Sequence, residues 1–340
     1  MRYLIFGGTG SLGKKLIRRF IQFNDVFVFS RDEAKHFTIK NEYSDHDRSS
    51  SLHFIVGDIR DNRRVLEAIR IADPDVIIIA AALKQVDTCE LSPGESVLTN
   101  IVGTQNVIDA VSSFTKKQIK LLFVSTDKAV SPVNCYGMCK AISERIISSS
   151  KIPNITFLCT RYGNVLESRG SIIPLFKYQS ENAKHLTVTD PNMTRFVMTL
   201  DESVDLIEKT LLLGKNGETW IPQLPAMRIG DLAEIFAEQS RKPIKIIGLR
   251  PGEKTHEDLI NLSESTRTLL MIDPQSGKKH YVVGSAAYTT NKGQEFSYSS
   301  NDDVMTKNEL RKHLQNLNII SASLASFEGP SIEEIMTKRK

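Results

Sequence analysis

The chain has 340 residues, of which 40% are hydrophobic and 25% are charged, and its formal net charge is +4 at pH 7. That length can form one large core or two unequal ones, because domains usually hold about 100 to 200 residues. So small a charge argues against a nucleic-acid surface or a membrane surface. The first apolar run, 3–6, ends at once in glycines, so it is predicted to be neither a signal peptide nor a membrane span of about 20 residues.

The four cysteines are too few and too irregularly spaced for a disulfide framework, which favours a reducing compartment and predicts a cytoplasmic protein. Cys135 and Cys139 could face each other one helical turn apart. Two thiols without further ligands nearby are more often buried small side chains than metal ligands, so we predict no metal site.

Short apolar runs alternate with longer helical stretches as far as residue 161, which is typical of repeated βαβ units. In chain order, the predicted strands are 3–6, 26–30, 53–56, 76–80, 121–125 and 156–161. Apolar residues at helical spacing predict helices within 12–23 and 100–111, and the polar stretch 41–51 is predicted to be an exposed loop. The pattern predicts an α/β fold with a doubly wound (Rossmann) parallel sheet.

Beyond residue 161 the alternation loosens, and glycine, proline and charged residues separate shorter elements. We predict a dinucleotide-binding Rossmann domain over 1–165, with a return segment at about 196–224. The segments 166–195 and 225–340 are predicted to form a smaller mixed α/β lobe that binds the substrate.

The motif GGTGSLG follows the first predicted strand and leads directly into a helical pattern. Glycines at this place allow a tight turn and a close approach of the backbone to a pyrophosphate, while the helix N-terminus supplies N–H donors. The predicted contacts with the dinucleotide are Gly7, Thr9, Gly10, Ser11, Leu12 and Gly13.

The second predicted strand ends at Ser30-Arg31, and Lys35 follows one helical turn later. NAD enzymes commonly place a carboxylate here for the ribose 2′-hydroxyl, whereas a hydroxyl, a guanidinium and an ammonium suit a 2′-phosphate. The sequence therefore favours NADP, and the neighbouring Asp32 and Glu33 keep NAD as the less favoured alternative.

Further cofactor contacts are predicted where the third and fourth strands end, because ligands of open α/β sheets bind at the carboxyl ends of strands. The residues are Asp58, Ile59, Ala80, Ala81, Ala82 and Lys84, the last assigned to both cofactor and substrate. Asp58 could accept a hydrogen bond from the adenine amino group or could cap a helix.

A group of reactive side chains follows the fifth strand. Thr126, Asp127 and Lys128 are consecutive, Tyr136 stands eight residues beyond Lys128, and Lys140 follows four residues later. In a helix, residues four apart lie on one face, so Tyr136 and Lys140 are predicted to point the same way. A cation beside the phenol would stabilise its phenolate, so the pair suits proton transfer.

Several motifs together resemble the extended short-chain dehydrogenases, and within them the inverting UDP-N-acetylglucosamine 4,6-dehydratases. The matching stretches are GGTGSLG, SRDEAK, GDIRD, AALKQV, STDKAV, NCYGMCK, TRYGNV, SRGS, DPNMTRF and RPGEKTHE. The resemblance implies NADP, a UDP-sugar substrate and a homo-oligomer, commonly a hexamer. It also implies that Asp127 is the acid for the C6 hydroxyl and Lys128 the base for the C5 proton, with Tyr136 acting at the C4 hydroxyl.

Retaining dehydratases are similar but tend to carry an acidic residue in place of Lys128, so this lysine points to inversion at C5. A surface ion pair between Asp127 and Lys128 is the alternative interpretation. Lys84-Gln85-Val86 and Cys89-Glu90 resemble a capsule-sugar branch whose members carry methionine in place of Tyr136, which leaves the product open.

Polar and cationic residues separated by glycines follow the predicted sheet. They suit a UDP-sugar, because guanidinium groups bind a pyrophosphate and a carboxylate can bridge ribose hydroxyls. The predicted substrate contacts are Lys84, Asn164, Arg169, Thr194, Arg195, Arg250 and Glu253, of which the resemblance favours Asn164, Arg195, Arg250 and Glu253.

Two other functions remain open from the sequence. A UDP-sugar 4-epimerase would need the cofactor and Tyr136 but no C5 base or C6 acid. A non-catalytic NADP-sensing module would need neither Tyr136 nor Lys140, and this chain has both.

Overall fold

The structure is a computed structural model that describes residues 1–114, 117–168, 170–274, 276–284 and 295–320. The chain divides into two compact units. Of the described residues, unit 1 comprises those within Met1–Tyr162, Leu200–Gln223 and Ile260–Ser297, and unit 2 comprises those within Gly163–Thr199, Leu224–Leu259 and 298–320.

Unit 1 is built on a nine-stranded sheet in the order β14-β15-β10-β6-β5-β4-β1-β2-β3. All neighbours from β3 to β10 pair in parallel, and β15 and β14 add to the β10 edge in antiparallel orientation. The strands are β1 Arg2–Phe6, β2 Asp25–Ser30, β3 Leu52–Val56, β4 Val76–Ile79, β5 Ile119–Val124, β6 Ile155–Thr160, β10 Glu218–Pro222, β14 Thr268–Ile272 and β15 Lys279–Val283.

The helices of this unit, except α11, lie in the connections between the parallel strands. They are α1 Ser11–Phe20, α2 Glu33–Glu42, α3 Asn62–Ala72, α4 Val86–Leu91, α5 Pro93–Ser96, α6 Gly103–Phe114, α7 Cys135–Ser149, α9 Leu200–Leu213 and α11 Leu262–Ser265, with short 3-10 helices at Ser49–Ser51 and Asp127–Ala129 and a π-helix at Val97–Val102. The predicted α/β Rossmann-type fold is thereby confirmed.

The central strands form because their β-branched and aromatic residues are buried on both faces of the sheet, as in other parallel sheets. All four residues of β4 are buried. Two of them, Ile77 and Ile79, form one hydrophobic core with residues of β1, β5 and helices α3 and α6. The neighbours of β1 are β2 and β4, so the strand order reverses at β1. The carboxyl ends of β1 and β4 therefore meet at the crevice where open α/β sheets bind ligands.

Two predicted helices differ from the structure at their ends. Helix α1 stops at Phe20 rather than residue 23, where the Asn24 side-chain amide donates to the Phe20 carbonyl at 2.9 Å. The stretch predicted as a helix over 100–111 begins in the π-helix and continues as α6. The stretch 41–51, predicted to be a loop, contains the end of α2 and a 3-10 helix, and turns connect the two.

Unit 2 has its own core, in which Phe176 packs against Phe236. Its elements are β7 Asn164–Val165, α8 Ile172–Asn182, β8 Leu186–Val188, β9 Thr194–Met198, β11 Ala226–Arg228, α10 Ile229–Ser240, β12 Ile244–Ile246, β13 Asp258–Ile260, β16 Tyr298–Ser299 and α12 Lys307–Asn316. Strands β11, β9 and β7 form one small sheet, and β12 pairs with β8 in another.

The division of the chain differs from the predicted domains at 260–297, which the sequence assigned to the smaller lobe. This segment belongs to unit 1 because β15 pairs with β10 and extends the large sheet. Antiparallel strands give no βαβ pattern, so the sequence carried no sign of the extension. Within the described ranges, no helix is long and apolar enough to cross a membrane.

Candidate active site

The turn after β1 can be made only by glycine at two positions. Gly7 has a φ of 84°, and a Cβ there would lie 2.6 Å from the Ala81 backbone nitrogen. A Cβ on Gly13 would lie 2.2 Å from the Gly8 carbonyl oxygen, so the first turn of α1 packs directly on the loop. The backbone thus turns tightly and stays close to the end of β4.

The N-terminus of α1 is suited to an anion. Its N-cap is Gly10, which has no side chain to satisfy the first N–H groups, and no acidic residue lies in the first turn. The N–H groups of a helix start and the positive end of the helix dipole favour a phosphate at this place. Together with the bare backbone of Gly7, this fits the pyrophosphate of a dinucleotide, with Thr9, Ser11 and Leu12 in the same turn.

The end of β2 presents a hydroxyl and a guanidinium. The Ser30 hydroxyl lies 3.2 Å from the Thr9 hydroxyl and 2.7 Å from Nε2 of the buried His36, which fixes its position. Arg31 is more than half exposed, with Nη1 3.7 Å from the Asp58 carboxylate. The Lys35 ammonium, by contrast, pairs with the N-cap residue Asp32, so the structure gives it a partner within its own helix.

Asp58 does not cap a helix, since the N-cap of α3 is Asp61. Its carboxylate is instead hydrogen-bonded to Arg60. Its Oδ1 accepts from the Arg60 backbone at 3.0 Å and its Oδ2 from the Arg60 guanidinium at 2.7 and 3.0 Å. Burial alone would raise the pKa of Asp58, but these hydrogen bonds and the charges of Arg60 and Arg31 lower it. Arg60 and His36 were not among the predicted residues, although Arg60 stands in the quoted GDIRD motif.

The other predicted cofactor residues at the strand ends differ in exposure. Ile59 is buried, and a Cβ on Gly103 would lie 2.7 Å from its Cγ2, so Ile59 packs against the start of α6. Ala80, Ala81 and Ala82 are half-buried, and their small side chains leave space at the end of β4. Lys84 is exposed just beyond them.

Thr126, Asp127 and Lys128 form a compact group at the end of β5. Thr126 is the N-cap of the 3-10 helix, and its hydroxyl donates to Asp127 Oδ1 at 2.8 Å. The Lys128 ammonium donates to the same oxygen at 3.1 Å. Side-chain exposure is 1% for Asp127 and 20% for Lys128, so this is a largely buried ion pair and not one on the surface. Oδ2 of Asp127 has no hydrogen-bond partner among the described residues.

Tyr136 is brought to this group by the first turn of α7, which Asn134 caps by accepting from Gly137 N at 2.7 Å. Burial raises the pKa of Tyr136 to about 12; the charge of Lys128 and a hydrogen bond with Thr126 act in the opposite direction, and Asp127 adds to the rise. The phenol therefore lies within electrostatic reach of both members of the ion pair.

Lys140 lies one turn further along α7, also buried. Its ammonium donates to the Val124 carbonyl at 2.7 Å and lies 4.2 Å from the centre of the Phe123 ring. Burial lowers the pKa of Lys140 to about 8. The cation that most lowers the pKa of Tyr136 is Lys128, whereas the sequence assigned this part to Lys140.

In unit 2, two predicted substrate residues are occupied by internal contacts. The Thr194 hydroxyl lies 2.8 Å from His256 Nδ1 and 2.7 Å from the Ser300 hydroxyl, and it is buried. The Arg195 guanidinium donates to the carbonyls of residues 194, 254 and 255 at 2.7 to 3.1 Å, so it holds the segment that precedes β13.

The remaining predicted substrate residues of unit 2 are more open. The buried Oδ1 of Asn164 has no hydrogen-bond partner among the described residues. Arg250 is exposed and Glu253 half-buried, with the Glu253 carboxylate accepting from the Arg250 backbone at 3.1 Å. Arg169 lies outside the described residues. In the part of the chain that the structure describes, no three His, Cys, Asp or Glu side chains are placed to share a metal ion.

Residues 3–273 match the family model described as "Polysaccharide biosynthesis protein". The chain belongs to this family. A "UDP-glucose 4-epimerase" of Rickettsia prowazekii is 40% identical over 276 residues, which cover 78% of this chain and 79% of that protein. An uncharacterized membrane protein of Methanocaldococcus jannaschii is 37% identical over 93% of this chain and 96% of its own length.

Among solved structures, Pen from Bacillus thuringiensis is similar to this polysaccharide biosynthesis protein. The TM-score is 0.83 and the identity 36%, over 94% of this chain and 98% of Pen. DesIV of Streptomyces venezuelae, a dTDP-glucose 4,6-dehydratase whose structure holds NAD, has a TM-score of 0.64 and 21% identity, over 75% of this chain and 87% of DesIV. At that identity, DesIV shows a shared fold alone.

Proposed function

We propose that the protein is an NADP-dependent UDP-N-acetylglucosamine 4,6-dehydratase that inverts C5. The observation that carries this proposal is the buried pair of Asp127 and Lys128 beside Tyr136. Three proton-transfer groups at one strand end are more than a 4-epimerase needs, but they match the three protons that move in a 4,6-dehydration. Membership in the polysaccharide biosynthesis family agrees with such a product.

The chemistry divides among these side chains. The dinucleotide, when bound, supplies reversible hydride transfer. Tyr136 takes the proton of the C4 hydroxyl as the ketone forms, and Thr126 hydrogen-bonds the phenol. The C4 ketone makes the C5 proton acidic, so Lys128 can remove it while Asp127 protonates the departing C6 hydroxyl, which leaves as water. The hydride taken from C4 is returned to C6 and a proton is returned to C5, so the sugar loses one water in total and the cofactor ends in its starting state.

Asp127 and Lys128 need the acid and amine forms for these roles. One proton moved along their 3.1 Å contact converts the charged pair into that neutral pair. After the elimination the ammonium and carboxylate are restored, so the pair is ready to return a proton to C5.

A second candidate, a UDP-sugar 4-epimerase, is supported by the name of the Rickettsia relative at 40% identity. That reaction would use Tyr136 and the cofactor but would leave Asp127 and Lys128 without a proton to transfer. A non-catalytic NADP-sensing module is a weaker candidate, since the proton-transfer group is complete in unit 1.

Incubation with UDP-N-acetylglucosamine and NADP in heavy water separates the two enzymes. We expect a 6-deoxy-4-keto product with deuterium at C5, because solvent protons exchange on Lys128 before one returns to the sugar. Nuclear magnetic resonance and mass spectrometry report both changes. A UDP-N-acetylgalactosamine product with no deuterium at C5 would identify the epimerase and exclude the dehydratase.

NADP is favoured over NAD because Arg31 and the fixed Ser30 hydroxyl stand at the end of β2. We expect Arg31→Ala to raise the Kd for NADP by about 10-fold or more while changing the Kd for NAD little, since a charge-assisted hydrogen bond is worth about 1.5 to 3 kcal/mol. Calorimetric titration with both dinucleotides measures this, with the exposed Arg63→Ala as control. Equal loss for both cofactors would exclude the 2′-phosphate role.

Within unit 2, Asn164, Arg250 and Glu253 are proposed to bind the UDP-sugar. A homo-oligomer, with a hexamer as the expected size, is also proposed. An apolar surface on unit 1 supports the assembly. Val97, Leu98, Met138 and Ile142 are each more than a third exposed around the π-helix and α7. A group of neighbouring exposed apolar side chains often marks a protein interface, whereas single exposed apolar residues are common on any surface. The cytoplasmic location stays a prediction.

A further inference from the structure

The outer strand of the large sheet carries an unusual run of exposed apolar side chains. Strand β14 lies at the end of the nine-stranded order. Its residues Leu269, Leu270, Met271 and Ile272 are 58%, 54%, 39% and 56% exposed. Since successive side chains of a strand point to opposite faces, both faces of the sheet are uncovered here. Edge strands usually avoid such runs with charges or proline, because an apolar edge pairs with other strands.

The backbone of β14 is also open toward the outside. Gly284 N donates to the Arg267 carbonyl at 3.0 Å, and Asp273 N donates to the Lys278 carbonyl at 2.8 Å. In an antiparallel pair the bonding direction alternates along the strand, so odd-numbered residues of β14 face β15 and even-numbered ones face away. Leu270 and Ile272 therefore direct their N–H and C=O groups to the outer edge, where no strand among the described residues pairs with β14.

We propose that β14 pairs with β14 of a second copy of this chain, antiparallel about a two-fold axis at Leu270. The axis places Leu270 opposite Leu270, whose outward N–H and C=O groups complete a hydrogen-bonded pair. It also brings the exposed apolar side chains of the two strands together on both faces. Such an isologous contact joins the two large sheets into one continuous sheet.

The charges around the strand favour this partner and this direction. No charged residue lies within Thr268–Ile272, so two copies bring no like charges together along the strand. Arg267 precedes the strand and Asp273 follows it, each with a partner in its own chain. Antiparallel pairing about Leu270 sets Arg267 across from Asp273, whereas parallel pairing would set like charges side by side.

A five-residue strand pair is smaller than a typical interface of about 800 Å² per partner. We therefore assign the β14 pair to an assembly that also has a second interface. A closed dihedral assembly uses two kinds of interface, and the apolar surface of the π-helix and α7 is suited to be the second. The β14 pairing rests on the proposed homo-oligomer and not on the proposed reaction, so it applies whether the protein is a 4,6-dehydratase or a 4-epimerase.

The first test is the mass in solution, measured by light scattering after size-exclusion chromatography. We expect Leu270→Lys to reduce the number of subunits to half of wild type or fewer, because it places two ammonium groups across the axis. Leu212→Lys, an equally apolar and exposed position on α9, should leave the mass unchanged. A monomeric wild type, or an unchanged mass in Leu270→Lys, would overturn the proposal, and activity is assayed separately.

The second test fixes the register and does not depend on how Leu270→Lys folds. In a pair centred on Leu270 the two Cα atoms of residue 270 lie about 5.5 Å apart, which suits a disulfide. The two Cα atoms of residue 272 are offset by four residues along the strands, so they lie about 14 Å apart. Under mild oxidation, we expect Leu270→Cys to give a disulfide-linked dimer and Ile272→Cys and wild type to give none. Equal linkage at both positions would contradict the two-fold axis.

Discussion

Replacing Lys128 with alanine is expected to lower kcat for 4,6-dehydration by about 10²- to 10⁴-fold, the usual contribution of a positioned proton-transfer group. Two effects act in the same direction. The variant lacks the amine that removes the C5 proton, and it lacks the charge that lowers the pKa of Tyr136, so the phenol binds its proton still more tightly. Turnover is measured as formation of the 6-deoxy-4-keto sugar.

Binding should change much less, because Lys128 is assigned to proton transfer and not to a phosphate. Titration of the variant with NADP and with the UDP-sugar checks this, and Lys151→Ala, at an exposed loop position, serves as the control. A variant that keeps wild-type kcat would show that Lys128 is not the base. Loss of binding in parallel with kcat would indicate instead that the lysine contacts a ligand.

The parts of the fold that follow from short stretches of sequence could be predicted. Strand β4 consists of four β-branched residues that follow the turn residues Asp73-Pro74-Asp75, so this stretch alone predicts a strand buried on both faces. The strand, glycine turn and helix around Gly7 and Gly13 are likewise local, and the structure shows why no other residue fits. Strands β14 and β15 could not be placed, because only their pairing with β10 assigns them to the large sheet.

The candidate site divides in the same way. Thr126, Asp127 and Lys128 are neighbours in the chain, and one capped helix start brings Tyr136 to them, so sequence spacing was enough. Contacts between distant segments were not visible. The bond from His36 to Ser30 was missed, and the carbonyls of residues 254 and 255 that occupy Arg195 could not be foreseen.

The electrostatic roles were harder still, because they depend on where each ammonium lies. The pattern of Tyr136 and Lys140 four residues apart suggested that Lys140 stabilises the phenolate. In the structure the Lys140 ammonium is directed to the Val124 carbonyl and the Phe123 ring, and Lys128 acts most strongly on the phenol. Spacing on a helix fixes a shared face but not the direction of a long, flexible side chain.

Asp127→Asn should separate the acid from the base. Asparagine has the same shape, and its amide oxygen can still accept from Thr126 and Lys128, but its amide N–H groups are not acidic enough to protonate the departing C6 hydroxyl. We expect water loss to slow by about 10²- to 10⁴-fold. Oxidation at C4 needs only Tyr136 and the cofactor, so reduced nicotinamide should accumulate when the UDP-sugar is added, which its absorbance reports.

The C5 proton of the sugar makes this variant diagnostic. Removal of the C5 proton is assigned to Lys128 and not to Asp127, so exchange at C5 in heavy water should continue while elimination stops. Asp109→Asn, on the exposed side of α6, should behave as wild type. If water loss in Asp127→Asn stays at the wild-type rate, another group is the acid. If both exchange and cofactor reduction vanish while NADP still binds, Asp127 is needed already for oxidation at C4, which contradicts its assignment as the acid of the elimination step.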